Sequence, residues 1–420
     1  MNIFGIIILT AFLLEYILEL TASLLSIKAL KSELPSILLG IYSTENYHKS
    51  KEYIRSTTHF SLMESSINLI LLLIFWFSGG FNWLDQIVRS WHFIPLINGL
   101  LFIGILLGIF SLLKLPFSIY RTFVIEERFG FNRVTPRTFF FDAIKGVGLA
   151  LLFGSPLLIG ILALFQFGGT YTWVYCWVMV IILSLVMQYV APSLIMPIFN
   201  KFTPLESGEL KEAILKYTYS VNFPIRNVLV MDGSKRSSKS NAFFTGFGRN
   251  KRIALYDTLI AKHSVPEMIA IVAHEVGHYK KKHIVQEMII NILHMGILFF
   301  LLSLFLGNPE LYQAFYMREE SLYAGLIFFM LLYTPIELVL SIALQIFSRK
   351  NEYEADRFSA ETIEKPGTII QALKNLSATN LSNLTPHPFY VFLYFPHPPL
   401  LRRIKAIQNI EKNRLLPNVG

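Results

Sequence analysis

His274 and His278 stand four positions apart in IVAHEVGHYK, residues 271–280. On an α-helix, four positions amount to about 400° of rotation and about 6 Å of rise, so both imidazoles leave one face and can share an ion. Glu275 is displaced by about 100°, within reach of a water on that ion but not forced into the ligand plane. This is the H-E-x-x-H arrangement of two zinc ligands and a general base. Zinc lowers the pKa of bound water toward about 7, and a carboxylate beside it can take the proton as the water attacks a carbonyl.

A catalytic zinc site needs a third protein ligand, and SRKNEYEADRF (348–358) offers one. Glu352 and Asp356 are four apart and share a helical face. Glu352 completes a His₂Glu set that leaves one coordination position open. Asp356, one turn later, can hydrogen-bond the far nitrogen of a ligating histidine and fix its tautomer. Glu354 is about 200° from Glu352 and points away. With Cys176 as the one cysteine, neither a thiolate-rich metal site nor an internal disulfide is available. Inside an apolar run, Cys176 reads as a small buried hydrophobe.

The elements that must carry these groups are unusual for a water-soluble enzyme. Only 15% of the 420 residues are charged, against about 25% in soluble domains, which indicates a membrane protein. Apolar stretches long enough to cross about 30 Å of hydrocarbon occur near 3–27, 62–83, 93–115, 141–166, 172–195, 284–306 and 321–347. The first lacks a basic leader and is interrupted by Glu15 and Glu19; it reads as a retained helix and not a signal peptide.

Basic residues alternate across these spans. Lys28, Lys31, Lys49, Lys51 and Arg55 follow the first, and Arg89 alone follows the second. Arg121, Arg128, Arg133 and Arg137 follow the third, and none follows the fourth. Fourteen lie in 197–283, one (Arg318) follows the sixth span, and ten follow residue 347. Seven helices with the N-terminus outside and the C-terminus cytoplasmic satisfy that pattern. Topology and anionic headgroups therefore account for the net charge of +9, and no nucleic-acid partner is required.

The expected organisation is helices one to five with their loops in 1–196, and a first catalytic segment in 197–283. Helices six and seven follow in 284–347, and a second catalytic segment in 348–420. The fold class is mainly α, with a small α+β zincin-like domain on the cytoplasmic side. In 197–283 we expect a polar helix near 206–219 and a strand at 226–232. A hairpin should run from 241–247 across Gly248, Arg249 and Asn250 to 251–257. Ser264 and Glu267 form a capping box ahead of the motif helix.

HEVGH, NEYEADRFSA and FPHPPLLRRI together resemble the type I CAAX prenyl proteases, integral-membrane gluzincins. TFVIEERFGFNR (122–133), APSLIMPIFNKF (191–202) and SKRSSKSNAFFTGFGRNKRIALYDTLI (234–260) extend the resemblance over most of the chain from the third span onward. It implies one Zn²⁺ on His274, His278 and Glu352, with Glu275 catalytic and Asp356 in the acidic tract. It further implies Asn241 on the strand beside the substrate and His397 near the catalytic centre. An extended peptide could add to the 241–247 edge with the Asn241 amide on its backbone. His397, stiffened by Pro396, Pro398 and Pro399, could stabilise an oxyanion. His387, in another Pro-His-Pro, has no motif behind it.

Glu15, Glu19, Glu64, Gln188, Glu287, Asn291, His294 and Glu337 fall in or near spans. A carboxylate facing lipid costs at least about 2.5–3.5 kcal/mol, so most of these should face a bundle interior or water; an interhelical hydrogen bond accounts for any single one, and their number favours a hydrated interior. The family is known for a water-filled chamber enclosed by seven helices. Pro335 should kink the seventh span.

The leading expectation is thus a membrane endopeptidase cutting near the C-terminus of prenylated or other membrane-associated peptides, acting as a monomer among lipids. General membrane-protein quality control is the second reading, and a transporter with a vestigial zinc site the third. The terminal RLLPNVG has no lysine-rich retrieval signal, which favours a bacterial plasma membrane, with the endoplasmic reticulum as the eukaryotic case.

Overall fold

The computed structural model describes residues 1–31, 33–39, 43–225, 227–245 and 252–415. Seven of its helices are long and apolar enough to cross a membrane: Ile3–Lys28, Thr44–Phe77, Pro95–Glu126, Pro136–Phe167, Gly169–Phe199, His283–Phe305 and Leu322–Thr362. Their number agrees with the apolar runs, but several are longer. Span two starts at Thr44 and span seven continues to Thr362, because a helix held by packing does not stop where its apolar stretch ends. Pro335 sits inside that continuous seventh helix without ending it.

Aromatic packing closes the bundle near the loop between spans six and seven. Phe315 stacks on Phe328 at 4.0 Å and on Trp76 at 4.8 Å. Asp85, buried there, accepts from Arg89 Nε at 2.8 Å and from the Tyr323 hydroxyl at 2.5 Å, so its charge is compensated. Cys176 is buried in the same cluster.

Several intraspan polar groups have partners. Ser65 donates to Glu19 at 2.9 Å and Arg121 pairs with Glu64 at 3.0 Å, whereas buried His294 Nε2, 3.2 Å from Glu337, makes no hydrogen bond. Gln188, Glu287 and Asn291 instead line a cavity of about 400 Å³ between spans five and six.

Outside the bundle lies a four-stranded sheet of order β1-β2-β4-β3: β1 Phe202–Pro204, β2 Asn227–Met231, β3 Ala242–Thr245 and β4 Arg252–Tyr256. β1 is antiparallel to β2, β2 parallel to β4, and β3 antiparallel to β4, with Phe243 opposite Ala254. The β3–β4 pairing is the expected hairpin. Its turn at Gly248–Asn250 lies outside the described residues. β1 and β3 are the edge strands, and β3, paired only with β4 among the described residues, offers its outer row of backbone groups to another chain.

The polar helix occupies Glu209–Ser220, and the motif helix Val265–Lys280. Ser264 N–H donates to Glu267 Oε2 at 2.9 Å, one limb of the capping box at its start. A single apolar core joins the two segments that flank spans six and seven: Ile253, Leu255, Val272 and Val276 pack with Ala360, Ile369, Ile404 and Ile407. The helix Gly367–Thr379 and the terminal helix Leu400–Leu415 complete its cover. Arg236–Asp142 at 2.8 Å and Lys239–Glu126 at 3.0 Å tie this unit to spans three and four.

Candidate active site

Two helices meet at the HEVGH motif. The motif helix crosses the end of the seventh helix, and Gly277 makes the approach possible. A β-carbon there would lie 3.0 Å from Ala355 Cα and 3.2 Å from Ala355 O. Buried Ser359, one turn past Ala355, donates its hydroxyl to Ala270 O at 2.9 Å. These small residues bring Glu352 against the histidines.

The three expected ligands converge. His274 Nε2 and His278 Nε2 are 3.2 Å apart. Glu352 Oε1 is 3.3 Å from His278 Nε2, and Glu352 Oε2 is 3.5 Å from His274 Nε2. Ligands at about 2.0–2.1 Å from a tetrahedral ion are themselves separated by about 3.3 Å. The two nitrogens face different oxygens of one carboxylate, and one donor atom from each residue lies within 4.8 Å of the others, close enough for the three side chains to share an ion. Buried Glu352 Oε2 has no hydrogen-bond donor; the Arg403 guanidinium faces it at 3.5 Å without making that bond, so the oxygen keeps a lone pair for a further ligand. Two neutral imidazoles and a carboxylate are also a donor set suited to zinc.

Asp356, 1% exposed, places Oδ1 at 3.0 Å from His274 Nδ1. With Nε2 turned toward the ligand triangle, Nδ1 is the atom that carries hydrogen and donates. Burial works against a charged His274, but the hydrogen bond and charge of Asp356 outweigh it and raise its pKa. Arg403, which the sequence reading passed over, grips the same carboxylate as a fork, Nε to Oδ2 at 2.7 Å and Nη2 to Oδ1 at 2.6 Å. Its Nη1 lies 3.5 Å from Glu352 Oε2. Burial opposes the guanidinium's charge, yet Asp356 overrides it and raises the Arg403 pKa further. The available signal was the buried carboxylate itself, which requires a cation that FPHPPLLRRI could supply.

Glu275 lines the same cleft, of about 410 Å³, together with Asn241, Phe243, Phe244, Leu373 and His397. Burial raises its pKa, with His274 and His278 acting in the opposite direction, which moves it toward the range useful to a general base. His397 is exposed, with Nε2 3.4 Å from Glu352 Oε1. Asn241 precedes β3 at the cleft, and its Oδ1 accepts from Ala242 N at 2.9 Å. His387 caps the short helix Pro388–Tyr394 by accepting from Phe389 N at 3.2 Å and is absent from the cleft lining.

Glu354 points away from the ligand triangle, as its position on the helix required, but it has a partner. Its Oε2 is 3.2 Å from His283 Nε2, and His283 Nδ1 is 3.1 Å from His278 Nδ1. The sequence reading named Glu354 only as pointing away, and did not single out His283.

Comparison with known proteins agrees with this arrangement. Residues 23–201 match the family description "CAAX prenyl protease N-terminal, five membrane helices", and residues 204–411 match "Peptidase family M48". The CAAX prenyl protease 1 homolog of Arabidopsis thaliana is 35% identical over 408 residues, covering 94% of this chain and 96% of that protein. CAAX prenyl protease 1 of Saccharomyces cerevisiae is 34% identical over 420 residues, covering 92% and 91%. The crystal structure of S. mikatae Ste24p superposes with a TM-score of 0.92 at 32% identity, covering 97% of this chain and 99% of that one. The protease readings are thereby favoured over the transporter reading: the chain belongs to the CAAX prenyl protease 1 group of peptidase family M48, multi-pass membrane metalloendopeptidases.

Proposed function

We propose that this chain is a zinc endopeptidase that hydrolyses a peptide bond near the C-terminus of prenylated, C-a-a-X-type proteins. The observation that carries this reading is the convergence of His274 Nε2, His278 Nε2 and the Glu352 carboxylate, with nearest approaches of 3.2–3.5 Å. His274, His278 and Glu352 would hold one zinc ion. When bound, it supplies Lewis acidity, polarising the scissile carbonyl and lowering the pKa of water.

The chain's own residues do the rest. The substrate lies extended along the free edge of β3, hydrogen-bonded as an added strand, with the Asn241 amide on its backbone. Phe243, Phe244 and Leu373 offer apolar surface to the aliphatic side chains of such a C-terminus. Glu275 takes the proton of the attacking water and passes it to the departing amine. His397 donates to the oxygen on which charge develops at the scissile carbon. Asp356 holds His274 in the tautomer that leaves Nε2 free, and Arg403 keeps Asp356 ionised.

The catalytic domain, on this reading, is split into 197–283 and 348–420 by spans six and seven, and faces the cytoplasm with the N-terminus outside. Water reaches it from a hydrated interior, to which the cavity containing Gln188, Glu287 and Asn291 belongs. That cavity and the cleft share Ile284 and Glu287. A monomer contains the whole site. The relatives named above are eukaryotic, which lends no support to a bacterial host.

The test is cleavage of matched C-a-a-X peptides with and without a farnesyl group, with products identified by mass. The reading expects kcat/KM for the prenylated peptide to be higher by 10-fold or more. Equal rates would leave an endopeptidase without lipid specificity, as the quality-control reading requires.

A further inference from the structure

His278 has a hydrogen-bond partner of its own, built by the turn that leads into the sixth span. The motif helix ends at Lys280, and Lys282 takes φ 59°, a left-handed conformation that non-glycine residues rarely adopt. Such a residue is strained and persists where its surroundings require it. The reversal places His283, the first residue of span six and 1% exposed, against His278 with ring centroids 5.1 Å apart.

Three contacts then fall in line. His278 turns Nε2 toward His274 and Glu352, so that nitrogen is the one without hydrogen. Its Nδ1 must carry the proton, and the acceptor within reach is His283 Nδ1 at 3.1 Å. A neutral His283 accepting at Nδ1 carries its own proton on Nε2, which faces Glu354 Oε2 at 3.2 Å. One assignment of two neutral imidazoles makes both contacts hydrogen bonds. Glu354 is 37% exposed and Lys350 lies 3.8 Å from it, so its carboxylate is solvated at one end of the chain of bonds.

We infer that His283 and Glu354 are positioning residues for the metal centre: Glu354 fixes the tautomer of His283, and His283 fixes that of His278. This inference rests on the zinc reading above. It gives each ligating histidine an anchor of different chemistry, Asp356 for His274 and the neutral His283 for His278. Outer partners of this kind are worth about 10–100-fold in metal affinity. The sequence trace is the histidine five positions after HEVGH's second histidine, together with the acid two positions after Glu352.

The experiment uses the full chain in detergent. Zinc affinity is measured by chelator competition, the visible d–d spectrum after cobalt substitution, and the thermal midpoint without metal. His283→Leu should weaken zinc binding about 10–100-fold and shift the cobalt bands. His283→Asn, whose amide oxygen can occupy the place of Nδ1, should bind within about 3-fold of wild type by the same hydrogen-bond argument. Glu354→Ala should weaken zinc binding by several-fold, and it remains informative if His283→Leu does not fold. The inference is overturned if His283→Leu lowers only the metal-free midpoint, with zinc affinity and cobalt spectrum unchanged. Loss in His283→Asn equal to that in His283→Leu, or no effect of Glu354→Ala, overturns it as well. Failure of the wild-type chain to bind zinc or cobalt in the same assay refutes the underlying zinc reading instead.

Discussion

Gly277 rests directly on Ala355: a β-carbon at Gly277 would meet Ala355 Cα at 3.0 Å and Ala355 O at 3.2 Å. Both obstacles are backbone atoms, which cannot rotate aside. One helix carries His274 and His278, the other Glu352 and Asp356, so this contact sets the distance between the two halves of the site.

Gly277→Ala should therefore separate the helices slightly and cost about 1–3 kcal/mol, the range for overpacking a filled interior. Gly277→Val should be worse. A thermal midpoint equal to wild type, with unchanged zinc affinity, would show that the helices are not held at contact distance.

Arg403 and Asp356 should behave as a unit. Removing the guanidinium leaves the Asp356 carboxylate buried without its fork, and breaking a buried pair costs about 3–5 kcal/mol. Arg403→Lys keeps the charge but not the planar two-bond geometry, so it should rescue only part of the loss. Asp356→Asn should fold better than Arg403→Ala while binding zinc about 10–100-fold more weakly. Denaturant midpoints and chelator competition separate the two effects. Independent, additive losses in the double variant would contradict the coupling.

Asn241 and His397 line one cleft but should fail differently. On the proposed role, Asn241→Ala removes a grip on the substrate backbone present before and during reaction, so KM should rise with kcat little changed. His397→Ala removes a donor to developing charge, so kcat should fall by about 10²–10³ with KM little changed. Steady-state hydrolysis of a tethered peptide reads both. The reverse pattern would exchange their assigned roles.

The sequence and the structure agree where the chemistry is local and part company where it is not. His274 and His278 come together because four helical positions place them so, and the Ser264–Glu267 cap follows the same short-range logic. The number of spans follows from hydrocarbon thickness. Their ends do not: span two reaches back to Thr44, and span seven runs on to Thr362, because packing extends a helix past its apolar run. That extension carries Glu352 to His274 and His278 on a continuous helix. Arg403, His283 and the pairing of Glu354 went unnoticed because the partners are 47, 5 and 71 positions away with no periodic spacing. His283 also depends on the left-handed turn at Lys282, which no turn-forming residue announces. Pro335 lies inside the helix Leu322–Thr362, which continues on both sides of it, as a kinked helix also does.

The central claim is that Glu275 acts as the base at a zinc site held by His274, His278 and Glu352. Its most direct test is the zinc content and peptide hydrolysis of Glu275→Gln, which keeps the shape of the side chain and removes its basicity. The account predicts about one zinc per chain, as in wild type, with hydrolysis reduced by at least about 10²–10⁴-fold. Hydrolysis of a C-a-a-X peptide by Glu275→Gln at the wild-type rate would contradict it.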